Sequence, residues 1–130
     1  MKTLATIKTT NKEDTLKYAF AFMQTESLKI KECTFMNPNP QEFDSKYILP
    51  RDSYSVTYND GVPSWEIFKK NPVHLSSPGF MCVASLDPKD TQRVNLSALN
   101  GVILFNCYGN YENEAKKAFK NITSIYETLT

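Results

Sequence analysis

Residues 94–129 read VNLSALNGVILFNCYGNYENEAKKAFKNITSIYETL: two apolar runs about an Asn-Gly pair, then an amphipathic segment. Asn100-Gly101 between such runs is the strongest short-range hairpin signal, because a type I′ turn needs positive φ at both central residues. With these two as the loop, Leu99 pairs with Val102, Ala98 with Ile103, Leu96 with Phe105 and Val94 with Cys107. Cross-strand partners share a face of the sheet, so the last three pairs place only apolar residues on one side. The opposite side receives Ser97 with Leu104, Asn95 with Asn106, and Arg93 with Tyr108. A slip of one residue would scramble this separation, so the pattern supports the register.

The segment that follows predicts a helix. Ala115, Ala118, Phe119, Ile122, Ile125, Tyr126 and Leu129 recur at helical spacing, with Lys116, Lys117, Lys120, Asn121 and Glu127 between them. Asn110 or Asn113 can cap its start, and Glu112 and Glu114 suit the positive end of its dipole. The apolar stripe should pack on the apolar side of the hairpin. That leaves the side with Arg93, Asn95, Asn106 and Tyr108 open unless another element covers it.

Toward the N-terminus, Thr3 to Thr9 reads as a first strand and a helix begins near Asn11, where Thr10-x-x-Glu13 fits a capping box. Leu16, Ala19, Phe20 and Met23 form its inner face. Tyr18 and Phe22 widen the stripe, which suits ordinary core packing better than a partner surface. Leu28 to Phe35 is a second strand, parallel or antiparallel to the first according to how the helix returns.

All seven prolines fall between Pro38 and Pro88, so the middle of the chain, about 37–79, is irregular. Pro40 and Glu42 suit the start of a short helix after Asn39. Tyr54, Val56 and Tyr58 alternate as a strand that runs into the turn Asn59-Asp60-Gly61. Pro63 to Lys70 fits one helical turn capped by Ser64 somewhat better than a return strand. After the turn at Ser77-Pro78-Gly79, Phe80 to Leu86 is a strand, giving a three-strand meander with the hairpin. The expected fold is α+β: one domain over 1–130, a two-layer sandwich of an antiparallel-dominated sheet with two main helices on one face, the second C-terminal.

Composition bounds the function. A chain of 130 residues holds one real core, and a net charge of +1 with interspersed signs argues against an extended nucleic-acid footprint. No apolar run approaches a membrane span of roughly 20 residues. Lys8 interrupts the short apolar run Leu4-Ala5-Thr6-Ile7, so nothing N-terminal resembles a signal peptide. Cys33, Cys82 and Cys107 are odd in number and include no C-x-x-C pair, which reads as reduced, buried thiols in a cytoplasmic protein.

Chemical constellations are sparse. His74 could serve Cys82 as a base, but a thiol in the middle of an apolar strand is expected to be buried and inert. One histidine and scattered cysteines offer no metal spacing, so no metal or cofactor is expected. Gly109-Asn110, between a strand and a helix, suits a tight turn better than a phosphate site, since Glu112 and Glu114 would repel an anion.

Two sets of residues remain as binding candidates. Arg93, Asn95, Asn106 and Tyr108 would cluster on the polar face, offering forked donors, amides and a stacking ring. Arg51, Tyr54, Tyr58 and Trp65 in the Pro-rich middle are of the types enriched at binding hot spots, though the same types fill cores under loops. These residues point first to a non-enzymatic binding protein of inhibitor or immunity type that captures a protein partner. The next reading is a module sequestering a small nucleotide-like ligand on the polar face or at the seam of a homo-oligomer, and a small hydrolase comes third.

Overall fold

The computed structural model describes residues 1–9, 11–36, 61–87, 89 and 92–130, and the backbone of 53–56. The elements run β1 (Lys2–Lys8), α1 (Lys12–Gln24), β2 (Lys29–Met36), β3 (Ser53–Val56), α2 (Trp65–Phe68), α3 (Pro72–Ser76), β4 (Gly79–Ser85), β5 (Arg93–Leu99), β6 (Val102–Cys107) and α4 (Glu112–Thr128). They form the expected α+β sandwich. The strands make a single antiparallel sheet in the order β1-β6-β5-β4-β2-β3. The expected short helix after Asn39 lies outside the described residues.

The hairpin has the register its sequence predicts, from Leu99 opposite Val102 to Val94 opposite Cys107. Asn100 and Gly101 take φ of 54° and 78°, the left-handed pair that a I′ turn requires. The end of β1 fastens to this turn, the Thr9 N–H donating to the Gly101 carbonyl at 2.9 Å. Further back, β1 carries a bulge at Leu4, where its pairing with β6 shifts between Thr3 and Ala5.

β1 and β2 point the same way but are separated by β6, β5 and β4, so α1 crosses most of the sheet. This explains its composition. Tyr18 through Met23 are all buried, the mark of a helix with neighbours on several sides. On one flank Tyr18 stacks on Tyr126 of α4, with ring centres 4.2 Å apart. On the other, Phe20 meets Trp65 and Phe68 of α2 edge-on at 5.5 and 5.3 Å. Tyr18 and Phe22, which widen the stripe, are both buried in the core. Asn11 caps α1, its side chain accepting from the Glu13 N–H at 2.8 Å; Thr10 is outside the described residues.

α4 packs on the same face, Phe119 stacking on Phe105 at 5.0 Å. Neither Asn110 nor Asn113 is its cap, a correction to the sequence reading: Tyr111 holds that position without a side-chain hydrogen bond. Glu112 instead pairs with Lys2 at 2.7 Å and Lys116 at 3.0 Å. Those cations hold its carboxyl below the usual range.

The expectation of three reduced thiols is also corrected. β4 docks directly on β2, which sets Cys33 opposite Cys82 with Cα atoms 4.1 Å apart, and the two form a buried disulfide. Cys107 stays a free, buried thiol.

Candidate functional site

Alternation along the strands sorts the sheet into two faces. Phe80, Cys82, Ala84, Val94, Leu96, Ala98, Ile103 and Phe105 point to the helices and are buried. The described helices pack on this inner face, and none of them lies on the outer one.

On that outer face the register brings together the polar residues that the sequence singles out. Thr3 donates its hydroxyl to the Asn106 oxygen at 2.7 Å, and Asn106 donates its amide to the Asn95 oxygen at 3.0 Å. Asn95 donates to the Tyr108 hydroxyl at 3.3 Å, and that hydroxyl reaches the Met1 sulfur at 3.0 Å. Arg93 is the backbone partner of Tyr108, whose N–H donates to its carbonyl at 2.8 Å. The result is one ladder of side chains spanning β1, β6 and β5.

Burial divides the ladder. Asn95 and Asn106 are 8% and 6% exposed, whereas Tyr108 is 41% exposed and Arg93 lies at the surface. The amides answer one another, so they brace the face; Thr3, Tyr108 and Met1 carry the ladder to solvent, with Arg93 at the surface beside it.

Next to the ladder lies an apolar area that the sequence reading did not single out. Met81 and Leu99 are 41% and 46% exposed, with Val83, Val102 and Leu104 half-buried beside them. The run Phe80 to Leu86 does not itself show which side faces in; once Phe80, Cys82 and Ala84 are placed inward, Met81 and Val83 must face out.

The other candidates are placed differently. Trp65 is 8% exposed, packed on Phe20 and Phe68, and its ring N–H donates to the Thr130 carbonyl at 3.1 Å. Tyr54 stands opposite Phe35 in the β2–β3 pair. Arg51 and Tyr58 lie outside the described residues.

The catalytic pairing of His74 with Cys82 does not form. Cys82 is held in the disulfide, and His74 is fully buried between the rings of Phe35 and Phe68, 4.4 and 4.1 Å away. Its Nδ1 lies 3.0 Å from the Phe68 carbonyl, which only accepts, so Nδ1 carries the proton. Burial pushes its pKa down, with the nearby Lys12 charge adding to the shift against the carbonyl's opposing pull. Lys12 itself is pushed down by burial and donates to the Ser77 carbonyl, bracing α1 against the start of β4.

Gly109 takes φ of 87° in a tight strand-to-helix turn, beside the ion-paired Glu112. Among the described residues no three His, Cys, Asp or Glu side chains converge as a metal site would require. No described helix is long and apolar enough to cross a membrane. A cleft of about 200 Å³ opens where α1 begins beside the hairpin turn, lined by Thr9, Asn11, Lys12 and Gly101 among others.

No family model, curated protein or solved structure matches this chain.

Proposed function

We propose that this protein is a non-enzymatic binding protein, of inhibitor or immunity type, whose protein partner docks on the sheet face turned away from the described helices, where Met81, Leu99 and Tyr108 are exposed. The observation that supports this most is the layering: the described helices pack on one side, and Met81, Leu99 and Tyr108 stand exposed on the other. Aliphatic side chains beside an aromatic ring and an arginine have the composition of a protein interface, with an apolar centre and polar surround. The ladder through Asn95 and Asn106 holds that surface rigid, which lowers the entropy lost on docking.

The alternatives have weaker support. A small nucleotide-like ligand would need the amide edges of Asn95 and Asn106, and these are mostly buried and already bonded to each other. A hydrolase would need an accessible nucleophile and base, whereas His74 is sealed in the core and Cys82 is oxidised. A cytoplasmic place of action drew on three reduced thiols; with Cys33 and Cys82 joined that support is gone, because such bonds persist mainly in oxidising compartments.

The test is affinity capture from the native host with two baits, the wild-type protein and a variant carrying Arg93→Ala and Tyr108→Ala. One stoichiometric protein held by the first and lost by the second, with circular dichroism unchanged, is the expected result. Equal capture by both folded baits, or capture by neither, would overturn the proposal.

A further inference from the structure

We infer that Asn100 is a site of spontaneous covalent modification. Its side-chain amide condenses with the Gly101 backbone nitrogen whenever the hairpin turn opens, and the isoaspartate linkage that results keeps the turn from closing again in its original form.

The chain has one Asn-Gly pair, and the fold demands both of its members. Asn100, at φ of 54°, is the only residue other than glycine with positive φ among those described. Asparagine tolerates that backbone far better than a branched or bulky residue does. Gly101 is held by two constraints: its φ is 78°, and a Cβ there would come 2.8 Å from the Thr9 carbonyl oxygen. The same glycine leaves the nitrogen that follows Asn100 without a side chain to shield it. The turn that sets the register of the sheet is thus built from the pair in which an asparagine is most open to attack.

The chemistry is an internal exchange of amides. The Gly101 nitrogen loses its proton and attacks the side-chain carbonyl carbon of Asn100. A new C–N bond closes a five-membered succinimide, and the side-chain nitrogen leaves as ammonia. Water then adds to one of the two ring carbonyls. Opening at the side-chain carbonyl gives aspartate, and opening at the main-chain carbonyl routes the backbone through the former side chain and gives isoaspartate. Water is the only other reactant.

The folded turn holds this reaction back. Ring closure needs Cβ of Asn100 and the Gly101 nitrogen on the same side of the Cα–C bond. In left-handed backbone, with ψ of about +47°, they stand on nearly opposite sides. β1 adds a clamp, the Thr9 N–H donating to the Gly101 carbonyl at 2.9 Å while Lys8 pairs with Val102. Attack therefore waits for the turn to open, and its rate follows the open population. Asn95 and Asn106 do not compete, being buried in paired strands ahead of Leu96 and Cys107.

The isoaspartate product cannot restore the turn. It adds one methylene to the main chain between positions 100 and 101 and leaves a carboxylate as the side group. A two-residue I′ loop has no room for the extra atom while Leu99 stays opposite Val102. The Gly101 carbonyl then moves off the Thr9 N–H, so the end of β1 is the first part released.

Peptide mapping of the full chain held at mildly alkaline pH, folded and in urea, tests this. The expected result is aspartate and isoaspartate at position 100, formed at least about tenfold faster in urea than in the folded protein. In urea position 100 should convert ahead of Asn11, Asn113 and Asn121, which precede Lys12, Glu114 and Ile122. The isoaspartate form, isolated by chromatography and refolded, should lose amide-exchange protection at Thr9 and melt below the wild type. Asn100→Gly keeps a pair that a I′ turn accepts and removes the amide, so it should fold and form no acid at that position. Conversion as fast in the folded protein as in urea would overturn the inference. So would an Asn100 that stays intact in urea, or an isoaspartate form that melts with the wild type.

Discussion

Asn106 donates its side-chain amide to the Asn95 oxygen at 3.0 Å, on the face of the sheet turned away from the helices, yet both residues are more than nine-tenths buried. Removing one partner leaves the other a buried polar group without its bond, which costs about 1–3 kcal/mol. Asn95→Ala and Asn106→Ala should each lower stability by about that amount, and the double variant by less than the sum. Urea unfolding of the four proteins measures this; strictly additive losses would mean that the two amides act independently.

His74 is the one histidine in the chain, and its folded pKa is depressed by burial. In the unfolded chain it takes up a proton near its ordinary value of about 6.5, while in the native state it resists. Its native environment therefore carries no penalty above that value and loses stability as pH falls below it, until the folded group also protonates. The slope in that window approaches about 1.4 kcal/mol per pH unit. Urea midpoints at pH values on either side of 6.5 should show the fall, and His74→Gln should flatten it.

Gly109 has φ of 87°, and a Cβ there would come 1.8 Å from the side-chain oxygen of Gln92. Gly109→Ala thus meets two obstacles: left-handed backbone, costing roughly 1–2 kcal/mol, and a side chain in the way. Only the second can be relieved. Gln92→Ala should recover part of the loss and leave the backbone share. That Gln92 oxygen is buried without a hydrogen-bond partner among the described residues, so its own removal should cost little.

The Cys33–Cys82 bond closes a separation of 49 residues, which on the chain-entropy account stabilises by roughly 4 kcal/mol at most. Replacing both cysteines by alanine should lower stability by about 2–4 kcal/mol. Thiol titration of the denatured protein should find one group without reductant and three with it, and three in both would contradict the bond.

Much of the sheet was legible because its information is local. The register of β5 and β6 follows from two turn residues and a parity rule, and it places Asn95, Asn106, Arg93 and Tyr108 together before any long-range contact is known. The disulfide was not legible. Cys33 and Cys82 meet only because β2 inserts beyond β4, and strand order across a sheet depends on packing rather than on the residues flanking each strand. The role of Trp65 was hidden for the same reason: its neighbour Phe68 is local, but its partner Phe20 comes from α1 and its hydrogen-bond acceptor Thr130 is 65 positions away. Met81 was hidden for a different one, since a run such as Phe80 to Leu86 is apolar on both faces and shows no alternation to read.

The bulge at Leu4 has a bearing on how this protein behaves in bulk. β1 borders the sheet, and a bordering strand invites foreign strands to add on, building fibres. Here the row of donors and acceptors is broken at Leu4 and lysines stand at either end, Lys2 and Lys8. An incoming strand would find no even ladder to continue on that side, so concentrated solutions should resist thread-like polymerisation from this margin.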